Sequence, residues 1–84
     1  MSEFDPVKEA INLSKHGISL ARWIDLDMKI TYVDSRHDYG EIRYRGYGYI
    51  EGVPYCLVFT ERNGRVRPIS FRRAHNKEMR RHVP

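Results

Sequence analysis

Residues 58–67 have the sequence VFTERNGRVR, and this stretch decides the fold. Asn63-Gly64 stands between two alternating segments, and this pair favours the positive φ angles that a tight hairpin turn requires. Side chains two residues apart on a strand point to the same face of a sheet, so Arg65 and Arg67 of the hairpin are expected to share a face. The stretch therefore predicts a β-hairpin that presents cations on a stiff scaffold.

The period of two continues on both sides of this hairpin. It predicts strands over residues 30–33, 41–50, 54–62 and 65–72, with a polar turn over 34–40 and a hairpin turn at 51–52. Consecutive hairpins make the sheet mainly antiparallel, and the most apolar strand, 54–62, is expected to lie centrally. Pro68 has no N–H to donate to a strand ladder, so we expect it at a bulge or facing away from a neighbour.

Helices are predicted at both ends of the chain. Asp5 is a suitable N-cap before Pro6, and Gly17 is a natural C-terminal stop. Ser19 is expected to cap a second, shorter helix that includes Leu20, Trp23 and Ile24 and ends in a turn over 25–27. Asn76 is expected to cap a short last helix over residues 77–83.

The resulting prediction is an α+β fold with two N-terminal helices, a mainly antiparallel four-stranded sheet and a short C-terminal helix. The two helices that precede the sheet are expected to cover one of its faces. The other face is then expected to be open for binding and lined by Arg43, Arg45 and Arg67.

Composition predicts one soluble domain over residues 1–84. The chain is 40% hydrophobic and 31% charged, which is unlike a disordered segment. It has no apolar run near the roughly 20 residues of a membrane helix and no secretory signal at its start, so a cytoplasmic location is expected. Cys56 lies in an apolar run, so we expect a buried thiol rather than a nucleophile.

Charge is concentrated at the carboxyl end. Residues 61–84 hold eight Lys/Arg against two acids, whereas residues 1–60 hold seven against nine. A cluster of cations on a rigid surface is typical of proteins that bind a phosphate backbone. Tyrosines alternate with arginines along the sheet, and each is expected either to stack on unpaired bases or to fill the core.

Several short blocks of the chain resemble the BrnT toxins of bacterial type II toxin–antitoxin pairs. They are F-D-P at residues 4–6, N-L-S-K-H-G-I-S at 12–19, Asp34 with His37, E-I-R at 41–43, T-E-R at 60–62, and I-S-F-R-R-A at 69–74 with Glu78. The resemblance implies a RelE-like fold and a metal-independent endoribonuclease that inhibits translation. It also implies neutralisation by a BrnA-like antitoxin, in a complex larger than a heterodimer that contacts operator DNA only through the antitoxin.

Metal-free cleavage of RNA requires cations around the phosphate and groups that move protons. Arg72 is the predicted phosphate clamp. It stands at the end of the last predicted strand, where strict alternation gives it the same parity, and hence the same face of the sheet, as Pro68 and Ser70. An arginine side chain can also donate two hydrogen bonds at once to a pair of phosphate oxygens. The candidate acid–base and leaving-group residues are Lys15, Glu41 and His82, the last standing where the resembled family usually has tyrosine. The predicted RNA-binding residues are Arg43, Arg62, Arg67 and Arg73, with Arg72 and Arg73 pointing to opposite faces.

Three functions share this arginine face. The first is a ribonuclease toxin, the second is a non-catalytic RNA- or DNA-binding module, and the third is a domain that docks an acidic partner. A nuclease needs Glu41, Lys15 or His82 within reach of Arg72, whereas a binding module needs only cations and aromatic rings. The four histidines lack metal-ligand spacing, so no metal site and no cofactor are predicted.

Overall fold

The computed structural model describes residues 5–35 and 40–83. Along the chain it has α1 (Pro6–His16), a 3₁₀ helix (Leu20–Asp25), β1 (Asp27–Val33), β2 (Tyr44–Ile50), β3 (Val53–Arg62), β4 (Arg65–Arg73) and α2 (Asn76–His82). The predicted α+β class, four-stranded antiparallel sheet and short C-terminal helix are confirmed. Phe4 and the part of the predicted polar turn at 36–39, which includes His37, lie outside the described residues.

The predicted turn and cap residues at the start of the fold are confirmed. Asp5 Oδ1 accepts a hydrogen bond from the Val7 amide at 2.8 Å, and Gly17 ends α1 with a φ of 69°. Ser19 Oγ accepts from the Ala21 amide at 3.1 Å and begins the 3₁₀ helix. These local hydrogen bonds satisfy amides that the first turn of a helix leaves unpaired.

Three predicted boundaries are wrong. β1 begins at Asp27 rather than at residue 30. Lys29 is an extra residue in the pairing of β1 with β2 and interrupts the alternation of side chains, so the alternating pattern does not reveal the first part of the strand. β2 begins at Tyr44, so residues 41–43 precede the strand. The N-cap of α2 is His75 and not Asn76, which is already helical.

The sheet has the strand order β1-β2-β3-β4, with every neighbouring pair antiparallel. β3 is an interior strand, as its apolar sequence predicts. Across the β3–β4 pair, Val58 faces Ser70 while Phe59 faces Pro68, so Ile69 is a bulged residue. The expectation that Pro68 lies at a bulge is confirmed.

This bulge changes which β4 side chains share a face. Arg67 faces Thr60 and Arg72 faces Cys56, and these two β3 positions lie on the same side of the sheet. Pro68 faces Phe59 and belongs to the opposite side. The prediction that Arg72 has the parity of Pro68 is therefore wrong, because the extra residue reverses the alternation between them.

Each face of the sheet carries its own apolar cluster. On the first face the 3₁₀ helix covers a core of six buried side chains: Ile18, Leu20, Ile50, Leu57, Phe59 and Phe71. On the second face α2 covers a smaller cluster that consists of Tyr47, Cys56, Ala74 and Met79. The expectation of a wholly open second face is wrong, because Met79 anchors α2 to it.

Asn12 ties α1 to the outer edge of β4. Its side-chain amide accepts from the Phe71 amide and donates to the Phe71 carbonyl, both at 2.8 Å. It also donates to the Ile18 carbonyl at 2.9 Å. Asn12 is buried, so its amide is the partner that these backbone groups need away from water. The asparagine of the 12–19 block therefore has a structural role.

Candidate active site

The strand register brings three arginines to the second face of the sheet. Arg45 of β2, with Arg67 and Arg72 of β4, lie opposite alternate residues of β3, and alternate residues share a face. The predicted grouping of Arg45 with Arg67 is thus confirmed, and Arg72 joins them through the bulge. The face is cationic where α2 does not cover it.

Arg72 is held by a two-point ion pair with Glu78 of α2. Its Nη1 and Nη2 atoms donate to Glu78 Oε1 at 2.9 Å and to Oε2 at 2.8 Å. The Glu78 carboxylate also accepts from the His75 amide at 3.0 Å. The Arg72 hydrogen bonds lower the pKa of Glu78 to about 2. Glu78 is therefore ionised at neutral pH and orients Arg72, but it is a poor proton acceptor.

Tyr47 extends this pair across the sheet. Its hydroxyl lies 3.4 Å from Glu78 Oε2, and Arg45 Nη1 lies 3.5 Å from the hydroxyl oxygen. Both contacts are long and weaker than those of Arg72. Burial raises the pKa of Tyr47 to about 12, so the hydroxyl keeps its proton. The buried Nε of Arg45 has no hydrogen-bond partner among the described residues, so one donor of this cluster is unsatisfied there.

His82 is stacked into the same cluster. Its ring centroid lies 4.8 Å from that of Tyr47, nearly parallel, and 5.1 Å from that of Tyr32, edge on. The Tyr32 hydroxyl donates to the His82 carbonyl at 3.1 Å. The imidazole is thus fixed against a tyrosine whose hydroxyl contacts the partner of Arg72. Two predicted catalytic residues, Arg72 and His82, are brought together.

Glu41 and Lys15 lie elsewhere. Glu41 Oε2 pairs with Arg62 Nη2 at 3.2 Å, and Arg62 is six strand positions from the residue opposite Arg72, or about 20 Å along β3. Lys15 is exposed in the last turn of α1 and lines a groove with Ile69 and Ser70 of β4. Neither residue belongs to the Arg72 cluster.

The four predicted RNA-binding arginines also divide. Arg67 lies on the face of Arg72. Arg73 is exposed and lies opposite Tyr55, whose ring packs on the first-face core. Arg72 and Arg73 therefore point to opposite faces, as predicted. Arg62 is paired with Glu41. Arg43 precedes β2, and its carbonyl accepts from the Asp34 amide at 2.7 Å.

The sequence predicts Arg45 on the binding face, but it does not predict the roles of Tyr47 and Glu78 in this cluster. Glu78 belongs to a resemblance block and stands in the first turn of a predicted helix, which is a position that favours an acid. Its partner Arg72 is on a different element, so spacing alone does not reveal the pair. Tyr47 was expected to stack on bases or to fill the core, and its complete burial shows the second.

Within residues 5–35 and 40–83, no three His, Cys, Asp or Glu side chains are grouped so that they can hold a metal ion. Among the same residues no helix has the length and apolar character needed to cross a membrane.

Residues 4–78 match the family model described as the ribonuclease toxin, BrnT, of type II toxin–antitoxin systems. The chain belongs to the BrnT family. The matched region includes Asn12, Arg72 and Glu78, whereas His82 lies beyond it. A search of curated proteins finds no match to the chain. Membership implies an RNA substrate and an antitoxin partner.

Proposed function

We propose that this BrnT family member is a metal-independent endoribonuclease that cleaves RNA on the second face of its sheet and thereby inhibits translation. We further propose that it has a RelE-like fold, acts in the cytoplasm and is neutralised by a BrnA-like antitoxin in a hetero-oligomer. The supporting observation is the grouping of Arg72, Arg45 and His82 beside α2. This grouping supplies cations and a proton carrier in one place.

RNA carries its own nucleophile, the 2′-hydroxyl, which loses its proton and attacks the neighbouring phosphorus. The P–O5′ bond breaks, the leaving 5′-oxygen takes up a proton, and a 2′,3′-cyclic phosphate is formed. The phosphate gains negative charge on the way, and fixed cations stabilise it. Arg72 has five N–H groups. Glu78 and the Arg73 carbonyl occupy three of them within the described part of the chain. The Nε–H and one Nη2–H of Arg72 remain for a phosphate oxygen, and Arg45 adds a second cation.

His82 is the proposed proton carrier, because histidine is the side chain that most often transfers protons in enzymes and the ring of His82 is held within the cluster. Tyr47 keeps its proton, so its hydroxyl can donate to Glu78 Oε2 and help to hold that carboxylate in place. Glu78 positions Arg72. Lys15 and Glu41 remain predictions of the resemblance, and their single alanine variants are expected to affect cleavage less than the His82→Ala variant.

The test is cleavage of a defined RNA by the purified protein in excess chelator. Arg72→Ala is expected to reduce cleavage about 100- to 1,000-fold, the usual cost of losing one transition-state donor. Arg22→Ala is the matched control, because Arg22 is also paired with a carboxylate but lies on the 3₁₀ helix. Circular dichroism confirms that both variants are folded.

Each part of the proposal has its own contrary result. Full cleavage by Arg72→Ala removes Arg72 from the mechanism, and loss of cleavage in chelator contradicts metal independence. RNA binding without cleavage by the wild-type protein would instead indicate the non-catalytic binding module. A pH profile of cleavage that is unchanged in His82→Ala excludes His82 as the proton carrier.

A further inference from the structure

A groove of about 200 Å³ lies between α1 and β4. It is lined by Lys8, Ile11, Asn12, Lys15, His16, Ile69 and Ser70. Two lysines and a histidine thus surround aliphatic side chains. The volume is below the roughly 300–1,000 Å³ of small-molecule pockets, so it suits one or two side chains of a docking protein.

α1 is unusual in what it leaves exposed. The only buried residue of α1 is Asn12. Ile11 is 52% exposed and Val7, one turn earlier on the same side, is 65% exposed. A surface helix normally buries its aliphatic stripe against the core. The Val7–Ile11 stripe instead borders the groove and is free to contact another protein.

The lining favours a peptide over RNA. Unpaired bases stack on aromatic rings or on arginine guanidinium planes, and His16 is the one residue of the seven in the lining that supplies such a group. Isoleucine side chains bind aliphatic side chains, and Lys8 and Lys15 attract carboxylates. An acidic, amphipathic segment matches both features.

The occupant docks by side chains rather than by adding a strand. Asn12 already occupies the outward N–H and C=O of Phe71 on β4. An incoming strand is therefore denied this pair of ladder hydrogen bonds. A helix that lays aliphatic residues into a groove, with acids beside them, needs no such hydrogen bonds.

We infer that the α1–β4 groove is the docking site for an acidic amphipathic helix of the antitoxin partner. The inference rests on the proposed toxin function and adds where the partner binds and by what chemistry. The lining of the groove contains neither Arg72 nor His82, so this helix anchors the antitoxin outside the Arg72 cluster.

The experiment uses calorimetry to measure the affinity of purified variants for the proposed BrnA-like antitoxin. Ile11→Asp is expected to weaken binding at least tenfold, as for a central apolar contact. Lys8→Glu is expected to weaken it most at low salt, where charges are least screened. Leu13→Asp is the matched control, because Leu13 is 51% exposed on the same helix but lies roughly 200° round it from Ile11. It is expected to bind within twofold of wild type.

RNA cleavage by each free variant is measured in parallel. Unchanged affinity in Ile11→Asp, or a larger loss in Leu13→Asp, overturns the groove assignment even if the wild type is an active, neutralised nuclease. Loss of RNA binding with intact antitoxin affinity would assign the groove to RNA. A wild-type protein without nuclease activity contradicts the proposed function, whereas the affinity pattern still decides the groove.

Discussion

The Glu78→Gln substitution tests the ion pair that organises the candidate site. Glutamine keeps the size of the side chain and one acceptor oxygen, but it removes the negative charge that Arg72 pairs with. It also weakens the contacts with the His75 amide and the Tyr47 hydroxyl. We expect α2 to be less firmly attached to the sheet and the protein to be less stable at neutral pH.

The size of the effect follows from the pKa of Glu78, which falls from 4.5 to about 2 on folding. That lowering sets a ceiling of about 3 kcal/mol on the free energy of the interaction. The Arg72 and Glu78 side chains are 32% and 24% exposed, so solvent screens part of it. We therefore expect a loss of about 1–2 kcal/mol, which corresponds to a fall in Tm of roughly 5–15 °C for a domain of this size.

The dependence on pH has a definite sign. Because folding lowers the pKa of Glu78, its ionised form stabilises the folded state fully above pH 4.5 and progressively less as the pH falls towards 2. The glutamine variant has no such titration. The difference in unfolding free energy between wild type and Glu78→Gln is therefore expected to be largest at pH 7 and to shrink by pH 3.

Urea unfolding followed by circular dichroism at pH 7, 5 and 3 measures this difference. Glu61→Gln is the matched control, since it removes an exposed carboxylate from β3 and is expected to change stability by less than about 0.5 kcal/mol. A Glu78→Gln difference that is equal at pH 7 and pH 3 would refute the assignment of the stabilisation to the ionised pair. So would an unaltered stability at pH 7.

Three further substitutions or reactions test the scaffold. Asn12→Ala removes three hydrogen bonds of 2.8–2.9 Å and leaves buried backbone groups unpaired, so a loss of about 3 kcal/mol is expected in urea unfolding; a loss below about 1 kcal/mol contradicts the structural role. Gly48→Ala is expected to lower the urea midpoint more than Gly46→Ala, because the added Cβ meets the backbone of β1 in the first case and a flexible methionine side chain in the second; equal midpoints would argue against that close approach. Burial raises the pKa of the Cys56 thiol, so a thiol reagent is expected to label it slowly in the native protein and rapidly in urea; rapid native labelling would show that the second-face cluster opens.

Turns and caps were predictable because their causes are local. Asn63 and Gly64 adopt φ angles of 54° and 75°, which are the conformations that their chemistry favours. Asp5 and Gly17 bound α1 for equally local reasons. Once the turns are known, the order of the four strands follows, because strands joined by consecutive hairpins pair with their neighbours in sequence. β3 is then an interior strand.

Two features of the fold that the sequence does not reveal come from non-local packing. Alternation assigns Arg72 to the face of Pro68, but the Ile69 bulge between them reverses the parity. Helical spacing identifies α1 without saying that its aliphatic residues stay exposed while Asn12 is buried. A one-residue bulge and a buried amide are decided by what the neighbouring elements need, and no short window of sequence contains that information.

The site was predictable only in part for the same reason. Arg72 and His82 were selected separately, and tertiary structure brings them together through Tyr47. The spacing of Glu41 and Arg43 suggests that Glu41 accompanies the arginines of the site. Glu41 instead pairs with Arg62, which lies about 20 Å along β3 from the residue opposite Arg72. Which cation an acid meets depends on the register and on where α2 returns to the sheet.

Glu78 has two opposed effects on Arg72, and the geometry indicates which one prevails. A carboxylate that neutralises a guanidinium weakens its attraction for phosphate, whereas one that fixes its orientation removes the cost of ordering it. Glu78 engages both terminal nitrogens of Arg72 but leaves its Nε–H uncommitted within the described residues. Arg45, whose Nε also lacks a partner there, restores positive charge on the same face. For the proposed nuclease, two arginines against one carboxylate would thus keep a net attraction for phosphate while Arg72 stays fixed, and a fixed cation stabilises a transition state better than a mobile one.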